Sequence, residues 1–361
     1  MKKNTIIIGI DGGATNISGG IVKQINEITF SLDGDVQTLT YSESPLNNRN
    51  FQPVDLDLQL AQKDNPILKT EEGKQGLAIL ESCENVITNL AKKNNGNKCL
   101  LGIGMPGLKS PEHGGIIVTN NGPRIPRFLD ALEHRLRLTG LKFDPIQKLG
   151  NDSDLCGLGE LYGKDGSLRG LENALYIGTG TGIADAILLE GKLISFDNIG
   201  TWMPKSWHMK NENGIPIEKI ITHKGMMMQY SEKTGISFQR LEEDETYPEL
   251  FIKTGDAVEI RTNFVTTVAW LIFQRIEKLF VKKPNTIFNR IILGLRLAQL
   301  IEKIPELFDQ IKLSVKKQIT DSLVLSQTTK NHYLQKRLIF LSKLPHAPII
   351  GAGVNAYQNA K

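Results

Sequence analysis

Cysteine, histidine and tryptophan are scarce in this chain, and aromatic residues make up only 6% of it. The three cysteines, Cys83, Cys99 and Cys156, are odd in number and irregular in spacing, and none sits in a C-x-x-C pair. That argues against a disulfide framework and against a structural zinc site, and it favours a reducing compartment. The six histidines are scattered, with no two at metal-ligand spacing. Long apolar runs are also missing. Ile6-Ile7-Ile8 is too short for the apolar region of a signal peptide, and residues 268–273 fall far short of a membrane span. A cytoplasmic location is expected. Charge of one sign is lacking as well: 43 Lys+Arg against 39 Asp+Glu leave a formal +4, without a concentrated basic stretch. Neither nucleic acid nor membrane is therefore an expected partner, and pairs such as Lys282-Lys283 read as solvated helix ends. No G-x-x-x-x-G-K-[ST] occurs, so there is no sign of a P-loop.

What the chain does have is length and ordinary globular composition. With 361 residues, 40% of them hydrophobic and 23% charged, it is too long for one compact core and implies two domains. Residues 5–10 form a β-rich run ending in Asp11-Gly12-Gly13, followed by runs at 19–23 and 27–32, an antiparallel meander in outline. Residues 33–70 are polar and irregular and read as an insertion or long loop. A helix is predicted from Thr70, with Ile79, Cys83, Val86, Ile87 and Leu90 on its apolar face and its end at residues 94–97. A strand follows at 99–103, a helix at 128–138, a short strand at 145–149 and a helix at 153–162. Residues 174–194 then repeat the earlier order of strand, Gly/Thr turn, strand, turn and strand, about 170 residues on. Such a repeat is what a duplicated fold would leave. A long helix at 256–281, a strand at 290–293, a helix from Leu295 and a short closing helix complete the pattern.

Three segments could carry chemistry. In Asp11-Gly12-Gly13-Ala14-Thr15-Asn16, glycines after a strand let the backbone approach a phosphate, and Asp11 could hold a hydrated magnesium ion. The same residues also read as a plain hairpin turn. Gly178-Thr179-Gly180-Thr181-Gly182 offers amides and hydroxyls to phosphate oxygens, and a two-residue hairpin rarely needs so many glycines and threonines. Two such loops on duplicated units, facing each other across a cleft, could clamp one triphosphate. Asp152 follows a strand and precedes a helix. In isolation it reads as an N-cap, whereas in a kinase it would accept the proton of an attacking hydroxyl. Gly102-x-Gly104-x-x-Gly107 fits a dinucleotide fingerprint only formally, because Pro106 removes an amide where pyrophosphate would need one. Met226-Met227-Met228 reads as core packing.

Taken in order, these pieces resemble the ROK family of sugar kinases within the actin-like ATPase superfamily. The match runs through residues 8–16, the Gly-x-Gly-x-Pro-Gly stretch at 102–107, Gly150-Asn151-Asp152, residues 177–193, Ile291-Ile292-Leu293-Gly294 and the segment from Gly351, but not through 33–70 or about 305–335. The resemblance implies an α/β, ribonuclease H-like duplicated two-domain ATPase fold with an interdomain cleft. The expected division is 1–122 plus 346–361 for the smaller domain and 123–345 for the larger, closing about hinges near 122–126 and 345. It further implies ATP and Mg²⁺ as cofactors and Asp152 as catalytic base. Nucleotide contacts would come from Asp11, Gly12, Gly13, Thr15, Asn16, Gly178, Thr179, Gly180, Thr181 and Gly294, sugar contacts from Asn120, Asn121, Asn151, Asn198 and Glu218. Asp11 would be the metal residue, and the molecule would be a homodimer.

The chain also departs from that pattern. Gly150 replaces the family's Glu before Asn-Asp. Asn198 stands where the family has a sugar-binding Glu, Thr201 where it has a zinc-ligating His, and no cysteine follows Cys156. No structural zinc is expected. The leading reading is an ATP-dependent hexose or N-acetylhexosamine kinase; the alternative is a catalytically weak ATP-binding protein or ATPase with a partner-binding role. A sugar-sensing regulator is disfavoured, because the first phosphate motif lies in the first strand.

Overall fold

The computed structural model describes residues 5–93, 98–110 and 114–360, with the backbone alone at Asp197 and Asn198. The helix end predicted at 94–97 lies outside the described residues. The chain divides into two compact units, Met1–Gly166 with His346–Lys361, and Ser167–Pro345.

The first unit begins with the hairpin of β1 (Thr5–Gly12) and β2 (Asn16–Asn26), followed by β3 (Thr29–Leu32), β4 (Gln37–Thr40), α1 (Leu56–Ala61) and α2 (Thr70–Lys92). It continues through β5 (Lys98–Met105), β6 (Leu108–Lys109), β7 (Ile116–Val118), α3 (Phe128–Leu138), β8 (Leu149–Asn151) and α4 (Asp152–Tyr162). Its main sheet has the order β3-β2-β1-β5-β8, and β4 also pairs with β2. The first three strands run antiparallel, whereas β1, β5 and β8 are parallel neighbours. The predicted apolar face of α2, from Ile79 to Leu90, is buried with Ile8, Ile10 and Ile17 of the sheet. Each such side chain stabilises the fold by about 1.5–3 kcal/mol. The other packing partner is the C-terminal helix Ala347–Asn359, which lies on α4, β1 and β5. It approaches so closely that a Cβ on Gly102 would stand 1.8 Å from the Ala352 carbonyl oxygen. Glycine at 102 thus serves helix–sheet packing, in keeping with the rejection of the dinucleotide fingerprint.

The second unit repeats this plan. It contains β9 (Ala174–Thr179), β10 (Ile183–Leu189) and β11 (Lys192–Ile194), then α5 (Phe196–Ile199), α6 (Glu218–Ile221), α7 (His223–Thr234), α8 (Phe238–Glu243), α9 (Pro248–Phe251) and α10 (Val258–Lys282). It closes with β12 (Arg290–Gly294), α11 (Leu295–Lys303), α12 (Pro305–Asp321), α13 (Gln327–Gln335) and β13 (Ile339–Leu341). The sheet order is β11-β10-β9-β12-β13, an antiparallel meander extended by two parallel strands. Both units therefore carry the same five-strand topology, and the duplication seen in the sequence is structural. The buried face of α10 forms the centre of the second core together with α12. No described helix is long and apolar enough to cross a membrane.

Several expectations need correction. Residues 123–166 belong to the first unit, not to the second. The reason is β8, which pairs in parallel with β5, and α3, which packs on α2. The stretch 33–70 is more than a loop. It contains β4, and α1 is capped by the Asp55 carboxylate, which accepts from the Asp57 and Leu58 amides. The closing helix starts earlier than Gly351, at Ala347, with Pro348 in its first turn, where a missing N–H costs nothing.

Candidate active site

In the first unit, strand register assembles the site. Asp11 pairs with Gly104, Gly104 with Gly150, and Met105 with Asn151, so β1, β5 and β8 end in one row. Everything that leaves this row at its carboxyl end converges: the 12–16 turn, the 105–107 turn, and Asn151-Asp152. In open α/β sheets, ligands bind at this edge. The first turn is itself a hairpin, closed by the Gly13 N–H donating to the Asn16 carbonyl at 2.8 Å. Buried Tyr41 supports it: its hydroxyl donates to the Gly13 carbonyl (3.1 Å) and its N–H to the Thr15 carbonyl (2.9 Å). Residues 33–70 therefore hold the turn that carries Gly12, Gly13, Thr15 and Asn16.

Asp11 and Asp152 influence one another electrostatically. Burial, and secondarily the neighbouring Asp152 charge, pushes the Asp11 carboxyl up to about 7. Asn151 occupies the N-cap position of α4 without a side-chain cap bond, and Asp152 Oδ1 accepts from the adjacent Ser153 N–H at 2.9 Å. Asp152 is thus a first-turn residue of α4 and not its cap. Asn120 and Asn121 follow β7, which pairs with β6 just beyond the 105–107 turn. Their segment is fixed by buried Gln59, which donates to the Thr119 carbonyl (2.9 Å) and accepts from the Thr119 N–H (2.8 Å). It is fixed again by the buried pair of Arg124 with Glu72 at 2.6 Å. Burial alone would raise the Glu72 carboxyl, but hydrogen bonds from Arg124 and from backbone amides hold it below its ordinary value.

Sequence reasoning missed Lys109. Its half-buried ammonium donates to the carbonyls of Met105 (2.7 Å) and Gly107 (2.6 Å) and to Asn151 Oδ1 (3.1 Å). Nothing in the local sequence marks it, because its partners are two carbonyls and an amide 42 residues away.

In the second unit, the Gly178–Gly182 loop joins β9 to β10, and the Gly180 N–H donates to the Gly182 carbonyl at 2.8 Å. Gly178 pairs with Gly294. A Cβ on Gly294 would come within 2.3 Å of the Tyr176 hydroxyl oxygen, so glycine is required there by packing alone. Leu295, next in line, bridges to Thr179 with φ +54°, a left-handed conformation that costs a non-glycine residue about 1–3 kcal/mol. Thr179 is buried, whereas Thr181 is half-exposed. Glu218 stands against the same loop: its Oε1 accepts from the Ile183 N–H at 3.0 Å. Asn198 lies in α5, and its side chain is outside the described residues. The segment after α5 is tied down by buried Arg275, which donates to the Pro204 carbonyl (2.7 Å), to Ser206 Oγ (2.7 Å) and to the Asp185 carboxylate.

Among the described residues, no three His, Cys, Asp or Glu side chains cluster as metal ligands. Magnesium serving a nucleotide does not need three, since one or two carboxylates suffice beside waters and phosphates. Asp11, a half-buried residue whose carboxyl is raised by desolvation and by a second carboxylate, is the kind of group that a divalent cation would relieve.

No protein-family model matches the sequence, and no curated protein matches it. Solved structures do. A ROK family glucokinase from Streptomyces griseus in complex with glucose and AMPPNP is 16% identical, with 98% of this chain and 99% of that one covered and a TM-score of 0.61. A putative sugar kinase from Cytophaga hutchinsonii is 18% identical over 98% and 99% of the two chains, at a TM-score of 0.58. A ROK family transcriptional regulator, homologue of the E. coli MLC protein, is 14% identical over 98% of this chain and 79% of that one, at 0.55. With the same strand order built twice and near full-length superposition on these structures, the chain has the actin-like α/β fold of the ROK sugar kinases.

Proposed function

We propose that the protein is an ATP-dependent kinase for a hexose or an N-acetylhexosamine. The observation that carries the reading is the row Asp11, Gly104 and Gly150, which sets Asp152 and Asn151 beside Asp11 at the ligand-binding edge of the first sheet. Asp152 is the general base: its carboxylate accepts the proton of the sugar hydroxyl while that oxygen attacks the γ-phosphorus. The bond from the γ-phosphorus to the bridging oxygen then breaks, and ADP leaves. Asn151, Asn120 and Asn121 offer uncharged donors and acceptors suited to sugar hydroxyls. Gly12, Gly13, Thr15 and Asn16, with Gly178, Thr179, Gly180 and Thr181, are the proposed phosphate contacts, and Gly294 lies on the adenosine side. Asp11 would hold magnesium, whose charge offsets that of the phosphates. Asn198 and Glu218 complete the sugar set in this reading.

The likeness to a glucokinase and to a putative sugar kinase supports a kinase, and AMPPNP bound to the former supports ATP as donor. One observation favours the alternative of an ATP-binding protein or ATPase without a sugar. The Glu218 carboxylate is already engaged by the Ile183 N–H. A coupled ADP-release assay with Mg-ATP, a panel of hexoses and acylated hexosamines and a no-sugar control separates the two. Stimulation by one sugar of at least tenfold over the control is expected. ATP binding with hydrolysis that no sugar accelerates would overturn the kinase reading in favour of the alternative.

A further inference from the structure

Lys109 is placed in a way that ordinary surface lysines are not. A lysine on a two-residue strand next to a turn would normally extend into water, where its flexible stem keeps its entropy. Here the stem folds back and the ammonium spends three N–H donors on the Met105 carbonyl, the Gly107 carbonyl and Asn151 Oδ1. An ammonium donates and never accepts, so the Asn151 amide must turn its oxygen toward Lys109. Its NH₂ then points the other way, as a donor. The three acceptors also belong to the two turns at the carboxyl ends of β5 and β8, so one side chain ties the 105–107 turn to the residue before Asp152.

Several elements among the described residues bring charged or titratable groups to the region of Asp152. Asp11 comes from β1, Asp154 from α4 itself, Lys109 from β6, and Tyr41 faces Asp11. β8 carries no charged residue, the charged residue of β5 is Lys98 at its opposite end, and the C-terminal helix against α4 has none between 347 and 359. Lys109 is thus a cation held on the residue that precedes Asp152, in a region to which Asp11, Asp152 and Asp154 bring carboxylates.

We propose that Lys109 is a positioning residue for phosphoryl transfer. It locks the Asn151 amide as a donor toward the sugar, fixes the start of α4 and with it Asp152, and supplies a standing positive charge beside the base. This rests on the kinase reading above. It goes beyond it by assigning a role that no feature of the sequence suggested.

The test compares wild type with Lys109→Met and Lys109→Arg, each checked for folding by its melting temperature. With the best sugar, Lys109→Met is expected to lower kcat about 30-fold and raise the sugar KM about tenfold, leaving the ATP KM within twofold. The acidic limb of its kcat/KM profile moves to higher pH, because a cation beside the base is gone. Lys109→Arg keeps the charge, so its acidic limb stays in place while kcat falls by less. Should Lys109→Met not fold, Lys109→Arg is compared with Lys109→Gln on the same readouts. Wild-type constants and an unmoved profile in the charge-removing variant would overturn the proposal while the kinase reading stands. Failure of the kinase reading shows separately, as a wild type that no sugar stimulates. In that event, titration of the Asp152 carboxyl carbon by NMR in wild type and Lys109→Met decides about the charge, and identical curves would refute it.

Discussion

The two sheets share one strand order, but the carboxyl ends of their strands differ in chemistry. Asp11 is the last residue but one of β1 and pairs with Gly104; the matching position of β9 is Gly178, which pairs with Gly294. The fifth strand leads into Asn151-Asp152 in the first unit and into Leu341-Ser342 in the second. One copy of the fold has thus put carboxylates at its strand ends, and the other has put glycines and hydroxyls. Glu218 does stand against the second loop, but it comes from α6 and its Oε1 is bonded to the Ile183 N–H. The difference fits a division of labour. A carboxylate is needed to take a proton or hold a metal, yet next to a phosphate it repels by about 4 kcal/mol at 4 Å in a moderately polar site. In the proposed reading, duplication lets a single topology meet both demands: the first sheet adds proton and metal chemistry to its phosphate turn, and the second supplies a phosphate loop free of acids.

The sharpest way to break this comparison is to remove the proposed base, Asp152. Asp152→Asn is expected to lower kcat by about 10³-fold, with ATP affinity within twofold of wild type, as measured by steady-state kinetics and by titration with a nonhydrolysable ATP analogue. Normal turnover in that variant would show that Asp152 is not the base and would remove proton chemistry from the first unit's side of the contrast. A smaller effect follows from carrying an acid into the second loop. Nothing lies within 4 Å of a Cβ built on Gly180, and its φ is not in the left-handed region, so substitutions there leave the fold intact. Gly180→Asp is expected to weaken ATP binding about 30-fold, roughly 2 kcal/mol of repulsion, while Gly180→Ala stays within about threefold. Equal affinities for the two variants would mean that phosphates do not sit at this loop.

The candidate residues of the two units were not equally legible in the sequence. Gly178 to Gly182 and Asp11 to Gly13 are local signals, because a glycine turn after a β-run depends on neighbours in sequence. The duplication could be read for the same reason. What escaped depends on distant partners. β4 exists because residues 37–40 find the start of β2, and Gln59 matters because Thr119, 60 residues on, needs both its donor and its acceptor met. β13 is three residues long and is a strand only beside β12. The placement of 123–166 turned on β8 pairing with β5, which three residues in Leu-Gly-Asn cannot announce. Lys109 was hidden for the plainest reason: its acceptors are mainly backbone carbonyls, and those leave no trace in side-chain patterns.

The mildest effect expected concerns the charge on Asp11. Its carboxyl is raised to about 7 in the folded chain from an ordinary 3.8, so the folded state binds the proton more tightly than the unfolded one. The stability this lends is complete below pH 3.8 and is lost as pH rises to about 7, leaving the ligand-free protein least favoured by this group above that. Other groups act in the opposite sense. The imidazoles of His208, His223 and His346 are depressed, foremost by burial, so their contribution falls as pH drops below their ordinary 6.5. Glu72 is also depressed, and its contribution fades only below its ordinary 4.5. The difference between wild type and Asp11→Asn cancels these terms. For a half-buried carboxyl partly screened by solvent, the variant should gain on wild type by about 1 kcal/mol between pH 5 and pH 8, read from denaturant midpoints. Millimolar magnesium at pH 8 should narrow that gap, because a cation favours the carboxylate that only the wild type has. The same gap at both pH values would mean that Asp11 does not carry the buried charge, and the contrast between an acidic and a neutral strand end would then have lost its physical basis.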